Sequence, residues 1–125
     1  MTVTKLDAAG SSLSILWDTG ACTGVNHQIV FGQKSQMPTT PGGAFGVTGG
    51  VCAMGNASPM SWSSVPEASD GSGLVWWLLV ATNGASTEGP WGRDSAGVER
   101  VGPGTGGSSA VCSMTGKNVA NACGH

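Results

Sequence analysis

The chain has 125 residues, 22 of them Gly, with 10% charged residues and a formal net charge of −2. That length is one domain's worth, and the charge is too small and too acidic for a nucleic-acid binder, which carries a basic patch to neutralise phosphates. Five Trp and many aliphatic residues exclude a disordered chain, and the longest apolar run, residues 74–81, is too short for a membrane span.

Helical signal is nearly absent, because Gly or Pro interrupts most windows of helical length. Period-two alternation takes its place. Residues 2–6 form a weak strand. Over residues 12–17, Leu13, Ile15 and Trp17 share one face and serines the other. Asp18-Thr19-Gly20 is a turn, after which His27, Ile29 and Phe31 share a face of the next strand. Pro41-Gly42-Gly43 turns again, and residues 61–65 form a short strand. Asp70-Gly71-Ser72-Gly73 leads into the strongest strand, residues 74–82, which Asn83-Gly84 ends. Residues 96–101 are expected to form the last strand. Short strands with regular Gly/Pro punctuation predict an all-β fold, an antiparallel β-sandwich over residues 1–102. A Gly/Ser-rich tail over residues 103–125 is expected to pack on it.

The strand at 74–82 has no polar face. Val75, Trp77, Leu79 and Ala81 point one way; Leu74, Trp76, Leu78 and Val80 point the other. A simple sandwich strand is polar on one side, so the second face needs a cover. The tail, another domain or a partner would supply it.

The four cysteines, Cys22, Cys52, Cys112 and Cys123, lie in Gly/Ser/Asn-rich stretches without metal-site spacing. Two disulfides are expected, and with them an extracellular or cell-surface location. Of the three pairings, Cys22–Cys52 and Cys112–Cys123 are the expected ones, each contributing ~3 kcal/mol by restricting the unfolded chain. Residues 1–10 do not read as a secretory signal. Met1, directly before a strand, reads as a start from which a native targeting segment has been removed.

Little of the sequence points to catalysis. Asp18-Thr19-Gly20-Ala21 after an apolar strand resembles the catalytic turn of retroviral-type aspartic peptidases, in which two such carboxylates would share a proton across a dimer axis. Against that, Trp17 precedes Asp18, the following residues are not an apolar strand, and Asp-Thr-Gly is good turn chemistry in itself. A serine hydrolase is not supported: the only histidines are His27 and His125, and no Gly-x-Ser-x-Gly elbow exists. No cofactor is required. Calcium is the best metal hypothesis, since Asn83, Glu88, Asp94 and Glu99 place oxygens in one Gly-rich segment; the alternative is that these acids form surface ion pairs with Arg93 and Arg100. Trp62, Trp76 and Trp91 would offer a stacking platform for a glycan if exposed, or otherwise fill the core.

Residues 65–84, containing Leu74-Val75-Trp76-Trp77-Leu78-Leu79-Val80-Ala81-Thr82-Asn83-Gly84, resemble strand F of a fibronectin type III-like sandwich. Residues 12–18 look like its strand B with core Trp17, and residues 27–32 its strand C. Val75 stands at the tyrosine-corner position, and the chain has no Tyr. A second stretch, Glu88-Gly89-Pro90-Trp91-Gly92-Arg93-Asp94-Ser95-Ala96-Gly97-Val98-Glu99-Arg100, is similar to the ending of uncharacterised modules in secreted and surface proteins of myxobacteria and related bacteria. The resemblance implies an extracellular, disulfide-bonded setting and no known activity. The expected function is a non-catalytic structural, adhesion or self-assembling surface module, with a protein partner or its own copies packing near Trp76. The alternatives are a carbohydrate- or calcium-binding module and an aspartic peptidase.

Overall fold

The computed structural model describes residues 1–21 and 24–120. It is essentially all-β and contains two sheets. The first has three antiparallel strands, β1 (Thr2–Lys5), β2 (Ser12–Leu16) and β5 (Met60–Ser63), in the order β1-β2-β5. The second has five, in the order β4-β3-β6-β7-β8, built from β3 (Asn26–Gln33), β4 (Gly49–Val51), β6 (Val75–Thr82), β7 (Thr87–Glu88) and β8 (Gly116–Lys117). All pairs in this sheet are antiparallel except β7 with β8.

The long β3–β6 pair explains the rest of the architecture. Its register sets Ile29 opposite Leu79, Phe31 opposite Trp77, Val30 opposite Leu78 and Gln28 opposite Val80. Opposed residues share a face and successive residues alternate, so the pair carries apolar side chains on both sides. On the inner side, Ile29, Phe31, Trp77 and Leu79 meet Ile15 and Trp62 of the three-stranded sheet, with Trp17, Met54 and Met60 around them. On the outer side, Val30, Trp76, Leu78 and Val80 form a second core with Phe45, Val47, Trp91 and Val111.

The second core has no sheet over it. A layer of irregular chain covers it, drawn from the loop after β3 and from the chain after β7. Its two parts join where the Phe45 amide donates to the Val101 carbonyl (2.8 Å). The chain therefore supplies its own cover for the outer face of β6, and that cover begins well before residue 103. The strand expected at 96–101 is part of it: this stretch makes only isolated bridges, Arg93 with Glu99 and Ala44 with Val101. Turn residues at Asp94 and Gly97 keep it from pairing further.

Among the described residues a disulfide joins Cys52 to Cys112 across a sequence separation of 60 and fastens the covering layer to the chain leaving β4. It replaces both expected pairings, Cys22–Cys52 and Cys112–Cys123. The reason is geometric: the layer folds back over β4, bringing residue 112 to residue 52, whose Cα atoms are 5.3 Å apart. Gly50 permits this approach, since a Cβ there would lie 2.8 Å from the Ile29 carbonyl oxygen and 2.9 Å from a Val111 methyl. Cys22 and Cys123 lie outside the described residues, as does the end of the expected tail, residues 121–125.

Candidate functional site

Polar side chains converge beneath the covering layer, at the β7–β8 end of the large sheet. Glu88 pairs with Thr82 of β6 on one side and with Lys117 of β8 on the other, and it is completely buried. Its Oε1 accepts from the Ser109 amide (2.9 Å), and its Oε2 from the Ser109 hydroxyl (2.6 Å) and the Gln28 amide nitrogen (2.9 Å). Burial pushes the Glu88 pKa above the ordinary value; the Ser109 hydrogen bonds and the Lys117 charge offset that only in part. Gln28 Oε1 is buried without a hydrogen-bond partner.

Lys117 is buried along its side chain. Its Nζ lies 3.2 Å from Glu99 Oε1, donates to the Arg100 carbonyl, and stands 4.4 Å from the centre of the Trp91 ring. Burial pushes the Lys117 pKa down, against the pull of Glu99 and Glu88. Glu99 Oε1 also accepts from the Trp91 amide at 2.6 Å.

The residues considered for calcium are therefore occupied by the chain's own donors. Asn83 Oδ1 accepts from the Ala85 and Thr87 amides, and Glu88 and Glu99 are engaged as above. Asp94 Oδ1 accepts from Ala96 and Val98, and its Oδ2 from Gly42, each within 2.9 Å. Those amides hold its pKa below the ordinary aspartate value. Among the described residues no three His, Cys, Asp or Glu side chains gather to hold a metal ion. Among the described residues the ion pair formed is Lys117–Glu99 and not one of the alternative surface pairs with Arg93 or Arg100, and Arg93 donates to the Gly97 carbonyl (2.6 Å).

Trp62, Trp76 and Trp91 are all buried, so none offers a face to a glycan or to a partner. Trp62 packs between the sheets; Trp76 lies under the covering layer, against Phe45 and Trp91 of that layer. Asp18 is exposed and caps its turn, its Oδ1 accepting from Gly20 (2.9 Å) and Ala21 (3.0 Å). His27 is buried, with Nδ1 3.0 Å from the Gly55 carbonyl oxygen and its ring 5.0 Å from Trp17.

Gln28, Ser109 and Lys117 belong to the cluster, and the sequence did not mark them. The available signal was Gln28 alternating with Val30 on the face shared with Trp76; Ser109 and Lys117 carried none. No family model, no curated protein and no solved structure matches this chain.

Proposed function

We propose that this chain is a non-catalytic structural module that works outside the cell, built on a fibronectin type III-like plan. The observation that carries the reading is the covalent closure of the covering layer by Cys52–Cys112. A cross-link of this kind persists in oxidising compartments and is rare in reducing ones. Two further facts support it. The strand orders β1-β2-β5 and β4-β3-β6-β7 correspond to the A-B-E and C′-C-F-G sheets of such a sandwich, with β8 added at the edge. The acidic residues singled out for chemistry are engaged in holding backbone: Asp18 and Asp94 cap turns, and Glu88 and Glu99 anchor the layer. Trp76, near which a self-assembly surface was expected, is buried, which favours a structural role over an assembling one.

The test is protease resistance of the native protein with and without a reductant. The oxidised protein is expected to survive intact and the reduced protein to be cut first within residues 100–120. Equal resistance in both states would count against the reading. So would pepstatin-sensitive peptide cleavage that disappears in Asp18→Asn.

A further inference from the structure

The Lys117–Glu99 pair differs from a solvated surface ion pair. The lysine side chain is 1% exposed and the glutamate 21%. The amine is held from two sides, by Glu99 Oε1 and by the carbonyl of the next residue, Arg100. The Trp91 ring closes the site over Nζ. The amide of the same Trp91 donates to Glu99 Oε1 at 2.6 Å, placing a fixed donor on the oxygen that would take up charge if the carboxyl carbon were attacked. Across the β7–β8 ladder stands Glu88, a fully buried acid.

We propose that Lys117 and Glu99 are joined by an amide bond that the folded protein forms by itself with loss of one water. The ammonium first passes a proton to the carboxylate, giving amine and carboxylic acid. The Nζ lone pair then attacks Glu99 Cδ, and the developing oxyanion on Oε1 is held by the Trp91 amide. A second proton from nitrogen reaches the other oxygen, which leaves as water. The balance closes with no oxidant, reductant or activated co-reactant.

Two physical effects favour the step. Burial works against the Lys117 charge, and the amide removes it together with its counter-charge. Burial also moves Lys117 toward its neutral, nucleophilic form, in agreement with the geometry. Holding nucleophile and carboxyl in contact is worth an effective concentration on the order of 10⁵–10⁸ M in well-oriented systems. The product would tie β8 to the segment containing Arg93–Glu99, a second closure of the covering layer that reductants cannot open. It needs no oxidising compartment, so it stands or falls separately from the extracellular reading.

The test is the intact mass of the full chain, fully reduced and denatured after incubation at its growth temperature. The wild type is expected to be lighter than its sequence by one water. Lys117→Arg and Glu99→Ala are each expected at full sequence mass. Tandem mass spectrometry should find a branched peptide joining the segments around residues 99 and 117. A wild type at full sequence mass overturns the proposal, and this measurement does not depend on any variant folding. A missing water located elsewhere, such as dehydration at Asp70-Gly71, also overturns it.

Discussion

Removing the Cys52–Cys112 cross-link is the sharpest test of the three-layer architecture. The bridge closes a loop of sequence separation 60. The chain-entropy relation for that length gives about 14 cal/mol/K, or about 4 kcal/mol at room temperature. A Cys52→Ala/Cys112→Ala double variant should lose that amount in urea unfolding followed by tryptophan fluorescence. With a slope near ~2 kcal/mol/M, the midpoint falls by about 2 M. Trp76 and Trp91 lie in the outer core that the tethered layer closes, whereas Trp62 and Trp77 lie between the sheets. Their signals should therefore separate, the layer loosening before the sandwich. A loss below ~1 kcal/mol, with all tryptophans moving together at the wild-type midpoint, would refute the argument that the layer is a separate covering held by this bond.

Trp76→Ala should cost about 3–5 kcal/mol, because the ring fills a closed core on the outer face. Leu74→Ala, one residue before the strand and 45% exposed, should stay within ~0.5 kcal/mol in the same denaturant assay. Glu88 has a folded-state pKa above its ordinary 4.5. Its contribution is fully present below that value and is lost as pH rises through the folded-state pKa. Glu88→Gln should accordingly flatten the fall in melting temperature on the neutral side, while Glu88→Ala, which strands Gln28 and Ser109, should lower it at every pH. Asp94 has the opposite sign: its pKa lies below the ordinary 3.8, so its contribution is present above that value and disappears as pH falls through the folded-state pKa. Asp94→Ala should remove that acid-side loss and loosen Gly42 and Val98, read as faster exchange of those two amides.

The strands were legible because their signal is local. Alternation in residues 12–17 and 27–31 gave β2 and β3, the apolar run gave β6, and Asp18, Asp70 and Asn83 marked turns that their side chains cap. The absence of a polar face on β6 also correctly implied a cover. The short strands β4, β7 and β8 carried no such pattern. At two or three residues they exist only because a neighbouring strand offers an edge, β3 to β4, β6 to β7 and β7 to β8.

What the amino-acid order determined by itself was an all-β chain with a strand that must be buried on both faces. Which segment returned over that strand was decided in three dimensions. That single choice brought Cys112 rather than Cys22 to Cys52. It also turned Trp76 and Trp91 from a candidate platform into core, and drew Glu88 and Lys117 out of water. The reason is that cysteine pairing, aromatic burial and the protonation of a carboxyl depend on neighbours far away in the chain. A local pattern can show that such a neighbour is required without identifying it.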